Sequence, residues 1–292
     1  MPSASPAPAA RIRTATPADA AVCGSICFEA FAAINRQHNF ELEFPSAEVA
    51  TQVMGMLFSH PKFYCVVAEV DGRVAGSNCL DERSVIAGVG PITVDPGIQN
   101  RGLGGTLMQA VLDRAQEKKF AGVRLLQSAF HNRSMSLYTK LGFDVREPMS
   151  VMRAPAQKPT VPGYTVRAAK EQDVPAASVL CERVHGHERA GELRDGILTG
   201  TAVVAERDGR LAGYASGFGY FGHAVAENNA ALKALFAAGE NYSGPGIIVP
   251  TRNAELFRWC LESGYRILHP MTLMSIGLYN EPQGAYLPSV LY

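Results

Sequence analysis

The chain has one tryptophan in 292 residues and six cysteines, none in a C-x-x-C pair. Without that spacing, neither a zinc ribbon nor a dithiol redox motif is available. Cys23, Cys27, Cys65, Cys79, Cys181 and Cys260 read as reduced, mostly buried thiols of a cytoplasmic protein. No charge excess exists, with 27 basic against 27 acidic residues. No basic tract calls for nucleic acid and no acidic tail for a basic partner. No uninterrupted apolar run reaches the roughly 18 residues of a membrane span. Residues 1–10 are rich in Pro, Ala and Ser and have neither the basic start nor the leucine-rich stretch of a signal peptide, so a flexible tail is expected there. His185 and His187 are two apart on a predicted helix and cannot share its face, so no metal site is expected. What the chain does have is 47% hydrophobic residues, enough for a sizeable core.

Its most informative stretch is Val94-Asp95-Pro96-Gly97-Ile98-Gln99-Asn100-Arg101-Gly102-Leu103-Gly104-Gly105-Thr106. An apolar run, 85–94, precedes it. A helical pattern follows, with Leu103, Leu107, Met108, Val111, Leu112 and Ala115 on one face. The first turn of a helix has free N–H groups and a partial positive charge, and glycines let an anion approach them. The stretch therefore reads as a phosphate cradle. A dinucleotide fingerprint would need Gly or Ala where Leu107 stands and an acid about 20 residues on, where Val123-Arg124-Leu125-Leu126 is found. A nucleotide P-loop would need Gly-Lys-Ser/Thr, and no lysine follows these glycines.

The remaining pattern, Gln/Arg-x-x-Gly-x-Gly/Ala, is met by Gln99, Gly102 and Gly104. With Val94-Asp95-Pro96 ahead of it, it resembles the GNAT superfamily of N-acetyltransferases. That resemblance implies that the stretch 99–106 holds the pyrophosphate of acetyl-CoA, with Gln99 and Arg101 nearby. It also implies that pantetheine pairs as a pseudo-strand along Ile92, Thr93 and Val94, one of whose backbone amides polarises the thioester.

The order of elements agrees with the resemblance over residues 11–154. A strand at 12–15 is followed by a helix over 18–38, a loop over 39–45 and a helix over 46–59 capped by Ser46. A hairpin over 63–80 turns at Asp71-Gly72. Then come a strand over 84–94, the glycine-rich helix, a strand over 122–129, a helix over 132–141 and a strand over 143–153. Residues 155–163 read as a linker by composition. After it the pattern restarts. Ile12-Arg13-x-Ala15-x-x-x-Asp19 is matched by Val166-Arg167-x-Ala169-x-x-x-Asp173. Val66-Val67-Ala68-Glu69 and Asp71-Gly72-Arg73 are matched by Val203-Val204-Ala205-Glu206 and Asp208-Gly209-Arg210. Gly142-Phe143 and Pro148-Met149-Ser150-Val151-Met152 are matched by Gly264-Tyr265 and Pro270-Met271-Thr272-Leu273-Met274. Three ordered matches mean two copies of one fold. The fold class expected is α/β (α+β), two tandem GNAT-like domains, each a mixed, mostly antiparallel sheet flanked by helices. The first, 11–154, would be catalytic and the second, 164–292, degenerate. From Gly76 to Gly142 is 66 residues but from Gly213 to Gly264 only 51, and the missing part is where the cradle should be.

Acetyl transfer to an amine also needs a base for the ammonium and an acid for the departing thiolate. Leu137-Tyr138-x-x-Leu141-Gly142-Phe143 resembles the family's helix end whose tyrosine hydroxyl sits by the sulfur, which makes Tyr138 the expected acid. Asn132, or His131 by spacing, resembles the family's CoA-contacting residue at the head of that helix. Many family members have a Glu on the strand before the cradle, but 85–94 holds no carboxylate, so Asp81 or Glu82 is the nearest base. Phe40, Glu41 and Glu43, with Phe44, fall where the family builds acceptor pockets and would suit an amphiphilic cation. Tyr220, His223 and Glu227 are candidates for a second wall of that pocket, and the apolar end, 286–292, is expected to dock.

The function expected is acetyl-CoA-dependent acetylation of a small-molecule amine by the first copy. The alternatives are a non-catalytic acyl-CoA sensor and a protein N-acetyltransferase. Acetyl-CoA is the cofactor expected, as co-substrate. At most a second copy of the chain is expected as a protein partner, with neither nucleic acid nor membrane. Residues 1–156 alone are expected to bind acetyl-CoA but acetylate poorly.

Overall fold

A computed structural model describes residues 10–99, 101–153, 158–239 and 242–291. The expected tail over 1–10 lies outside these residues except for Ala10, and the linker expected over 155–163 is described from 158 on, without helix or strand up to 163. Two compact units are present. The first holds the described residues up to Glu82 and Gly88–Phe120; the second holds Arg83–Ala87 and the residues from Ala121 on.

In the first unit, β1 (Arg11–Thr14), β2 (Phe63–Val70) and β3 (Arg73–Asp81) pair antiparallel in that order. Asp71, at φ 52°, and Gly72, at φ 75°, make the tight turn between β2 and β3 that the Asp-Gly pair predicts. The single strand expected over 84–94 is instead two, β4 (Ile86–Val89) and β5 (Thr93–Val94), separated at Gly90-Pro91, where Gly90 has φ 136° and proline lacks a ladder donor. Both pair with β3, Leu80 opposite Val89 and Ser77 opposite Thr93. β5 lies so close to β3 that a side chain at Gly76 would meet the Thr93 carbonyl.

Helices cover both faces of this sheet. Adjacent strand residues point to opposite sides. Ser77 lies on the side of Cys23 of α1 (Ala20–Gln37), while Asn78 donates to the Leu107 carbonyl of α3 (Leu103–Glu117), 3.3 Å away. α2 (Ala47–Ser59), capped by Ser46 on the Val49 N–H, crosses α1 tightly at Gly24. The stretch Pro17–Gln37 is long and apolar enough to span a membrane by length and composition. In this fold its Cys23, Ile26, Cys27 and Ala32 are buried as on a core helix.

One cysteine expectation is corrected. Cys65 on β2 and Cys79 on β3 stand opposite each other, Cα atoms 4.1 Å apart, and form a disulfide. A cross-strand pair of this kind leaves no local spacing signature, which is why the search for C-x-x-C passed over it. Cys23, Cys27, Cys181 and Cys260 are free and buried.

The second unit holds two sheets. In one, β8 (Thr165–Ala168), β9 (Val203–Arg207), β10 (Arg210–Ala215), β11 (Ala224–Ala226) and β14 (Ala285–Leu287) pair antiparallel in that order. In the other, β6 (Gly122–Ser128) pairs with β13 (Arg266–Gly277), β13 with β7 (Asp144–Arg153), and β7 with β12 (Ile247–Pro250), all antiparallel. β6 and β7 belong to the first copy, β12 and β13 to the second. Each copy's last strand is therefore inserted beside the other copy's strands.

Alternation along these strands builds two cores. Val204, Tyr214, Val225, Ile248 and Tyr286 enter the one shared with α5 (Val174–His185) and α6 (Ala190–Thr199). Their neighbours Ala205, Ala215, Ala224, Val249 and Leu287 enter the one shared with α7 (Asn229–Phe236) and α8 (Ala254–Glu262). The helix α4 (Asn132–Lys140) connects β6 to β7.

The repeat extends to side-chain geometry. Arg13 donates to both oxygens of Asp19, 2.8 Å each, and to Glu69 at 2.7 Å. Arg167 donates to both oxygens of Asp173, 2.8 Å each, and to Glu206 at 2.6 Å. The same clamp, bidentate on one side, ties the first strand of each copy to its first helix and second strand.

Candidate functional site

The cradle is built from the chain direction after β5. Asp95 accepts the Gly97 N–H at 2.8 Å and starts a single turn of 3-10 helix, Pro96–Ile98. Gln99 folds back and donates to the Val94 carbonyl at 3.1 Å. Asn100 lies outside the described residues. Gly102 then adopts φ 82°, the left-handed region that favours glycine, and α3 begins at Leu103. Its N-cap residue, Gly102, makes no side-chain cap bond. The first N–H groups of a helix have no acceptor within it, and a glycine at the N-cap offers them no side chain.

Leu103 and Leu107 face inward, leaving Gly104 and Gly105 half-exposed and Arg101, Gly102 and Thr106 exposed. A cavity of about 160 Å³ lies there, lined by Arg101, Gly102, Leu103 and Thr106 together with Ile98, Val70 and Ala10. An uncapped helix start, a glycine entry and an arginine beside an open cavity fit a pyrophosphate. Ile92 precedes β5, and Thr93, which is buried, and Val94 form it.

The two carboxylates singled out as bases differ. Glu82 accepts from Arg114 Nε at 2.7 Å and from a second guanidinium nitrogen at 3.2 Å. Both of its oxygens are thus engaged by one guanidinium. Asp81 is buried at the end of β3. In the loop before α2 the acids also separate. Glu41 is exposed beside half-buried Phe40, whereas Glu43 is buried with Phe44, whose ring lies 5.8 Å from Phe31.

Tyr138 is near the end of α4, buried, with Phe143 packed at 6.1 Å. Burial pushes its phenol pKa well up, so the hydroxyl keeps its proton. Asn132 is the exposed first residue of α4 and His131 its N-cap, without a capping side-chain bond. The start of that helix is held by Gln127 of β6, whose amide donates to the His131 carbonyl and to Ser134 Oγ, each at 3.0 Å. Sequence reasoning missed Gln127, because its role depends on which side of β6 it faces.

The second copy differs from the first at both places. Where Gly102 precedes α3, Asn228 precedes α7, and its side chain accepts the Ala231 N–H at 2.9 Å. The helix start is thus already capped. The edge of β11, the strand that leads to this helix, is taken by β14, with Val225 opposite Tyr286. Val290 also donates to the Tyr220 carbonyl at 2.7 Å, so the apolar end is docked as far as Leu291; Tyr292 lies outside the described residues.

Tyr220 and His223 are buried in this unit, the Tyr220 hydroxyl pointing to Met271 Sδ. Glu227 is not with them. It pairs with Arg210 and Arg183 at the surface. The helix expected to hold both His185 and His187 ends at His185. Gly186, at φ 79°, turns the chain so that the two rings lie 5.8 Å apart. Among the described residues no group of three His, Cys, Asp or Glu side chains is placed to hold a metal ion.

Residues 29–143 match the family model of the Acetyltransferase (GNAT) family. No curated protein sequence matches the chain significantly. Among solved structures, a Pyrococcus horikoshii protein classed with the acetyltransferases superposes with a TM-score of 0.74 at 18% identity, over 94% of each chain. A GCN5-related N-acetyltransferase from Sphaerobacter thermophilus gives 0.59 at 18% identity, over 93% of this chain and 96% of that one. A tandem GNAT protein from the clavulanic acid biosynthesis pathway gives 0.55 at 16% identity, over 92% and 98%. The family model thus covers the glycine-rich stretch and the residues around it in the first copy, and over nearly the whole chain the fold is similar to that of acetyltransferases, a tandem GNAT protein among them.

Proposed function

We propose that this protein transfers the acetyl group of acetyl-CoA to the primary amine of a small molecule, and that the first copy does the chemistry. The observation that carries this reading is the contrast between the two helix starts. α3 follows a left-handed glycine and is uncapped, whereas α7 is closed by Asn228. The pyrophosphate is held by the N–H groups at 101–105, with Arg101 supplying charge and Gln99 shaping the turn. A backbone amide of the 92–94 segment polarises the thioester oxygen. Tyr138 gives its proton to the departing thiolate. Asp81 removes the ammonium proton, directly or through water, because Glu82 is committed to Arg114. The exposed Glu41 beside Phe40 suits an acceptor with a positive charge and an apolar part.

The test is CoA release from acetyl-CoA with a panel of small amines, amino-terminal peptides and lysine peptides. Turnover with a small amine above the peptides supports the reading. Preference for a peptide moves the assignment to protein acetylation. Tight acetyl-CoA binding without turnover on any acceptor makes the protein a sensor.

A further inference from the structure

The second unit contains a buried polar cluster that the acetyl-transfer reading does not use. His185 ends α5, His187 follows the Gly186 turn, and His223 precedes β11. The ring of His185 lies 5.8 Å from that of His187, 5.4 Å from that of His223 and 4.8 Å from that of Tyr286 on β14. All three histidines are buried, as are Arg124 of β6 and Arg189 before α6. Both guanidiniums act electrostatically on all three imidazoles. Neither ring nitrogen of His185, and neither of His223, has a hydrogen-bond partner.

We propose that His185, His187 and His223, with Arg124 and Arg189, form a binding site for a small oxyanion, a carboxylate or inorganic phosphate, in the second copy. Buried imidazoles with unpaired nitrogens lose hydration without compensation, so such groups ordinarily meet a partner. The neighbours decide which kind. Two guanidiniums beside the rings repel a metal cation and attract an anion. Glu192 is the carboxylate that pairs with Arg189, and Glu147, also buried, pairs with Arg252 and with the Tyr286 hydroxyl. A neutral imidazole donates one N–H to an oxygen of carboxylate or phosphate, and the guanidiniums, of which Arg189 is held by Glu192 through Nε and a terminal nitrogen, contribute positive charge. Ring spacings of 5.4 and 5.8 Å limit the ligand to a few atoms. β14 closes the cluster through Tyr286, on the strand edge where the first copy's resemblance places pantetheine. The second copy thus keeps a ligand site after losing its cofactor slot. The inference does not rest on acetyl transfer by the first copy.

The test is titration of the full-length protein with sodium acetate and, separately, sodium phosphate, against sodium chloride at matched ionic strength. The histidine side-chain nitrogen resonances are followed by NMR. A saturable shift of the His185 and His223 resonances with either oxyanion, absent with chloride, is expected, and the probe that saturates first identifies the ligand class. His223→Phe and His185→Phe should each weaken binding about ten- to a hundredfold, as for loss of one hydrogen bond to a charged group. Resonances unmoved by both oxyanions at millimolar concentrations overturn the proposal, even if neither variant folds. So does binding that both folded variants retain unchanged.

Discussion

Met149 and Met271 occupy equivalent places in the two copies and stand directly opposite each other, Met149 on β7 and Met271 on β13. Their flanking pairs are symmetric: Pro148 faces Thr272 and Ser150 faces Pro270. An approximate twofold axis therefore passes through this pair. The motif found twice in the sequence is paired with itself, and the strand that completes β6 and β7 comes from the second copy.

This revises the expectation for residues 1–156. Without β13, β6 and β7 lose their common neighbour, and the buried faces of Leu125, Met149 and Val151 are opened. Exposing such side chains costs about 1.5–3 kcal/mol each, so that three of them together are comparable with the whole stability of a marginal domain. The fragment is expected to be insoluble or molten, without cooperative thermal unfolding. A fragment that melts cooperatively and binds acetyl-CoA as tightly as the full chain would refute the argument.

Gly104→Glu places a carboxylate at the open start of α3, where the pyrophosphate is proposed to sit. Its buried neighbours Leu103 and Leu107 are untouched, so the melting temperature should change little. Acetyl-CoA affinity by calorimetry should fall at least about a hundredfold, since both charge repulsion and close approach are affected. The wild type should bind one acetyl-CoA per chain, because Asn228 and β14 close the second copy. Two equivalent sites would contradict this.

Tyr138→Phe should lower kcat on the order of 10- to 1000-fold and leave the KM for acetyl-CoA within a few-fold, as removal of a general acid does. Asp81→Asn should lower kcat and shift the activity profile toward higher pH, where the amine arrives neutral. Glu82→Gln, which breaks the pair with Arg114, should affect stability more than kcat. If turnover with a good acceptor is unchanged in the first two variants, the assigned roles are wrong.

Acid stability follows from the histidines. Burial, joined for the first three by Arg124 and Arg189, holds His185, His187 and His223 below the usual 6.5, to about 3 for His187, and burial alone holds His269 at about 4. In the unfolded chain these groups titrate near 6.5, so below that pH the unfolded state binds more protons. The stability is fully present above about 6.5 and is lost as pH falls toward 4, by up to about 1.4 kcal/mol per histidine per pH unit. Urea midpoints measured between pH 7.5 and pH 5 should fall steeply; a flat profile would contradict the burial of neutral imidazoles.

Local chemistry made much of this legible. The Asp71-Gly72 turn, the Ser46 cap, the glycine entry at Gly102 and the three matched motifs of the repeat each act over a few residues, and each has its counterpart in the structure. The break at Gly90-Pro91 was also written locally, in a glycine and a residue without a donor, but the apolar run around it reads as one strand. Gly186 likewise signalled a helix end that would bring His187 back beside His185. Non-local pairing was not legible. Nothing near Glu82 announces Arg114, nothing near Cys65 announces Cys79, and nothing near β7 announces that its partners arrive from the far end of the chain.

The insertion of β13 also sets a timetable for synthesis. β7 ends at Arg153 and β13 begins at Arg266, so the ribosome adds about 110 further residues before the middle strand exists. At roughly 5–20 residues per second, the strands of the first copy wait on the order of ten seconds with an edge unpaired. A nascent chain that stalls in this interval presents β6 and β7 as open templates for strand addition. The assembled sheet therefore certifies that translation has passed β13, and chaperone demand should be concentrated in that window.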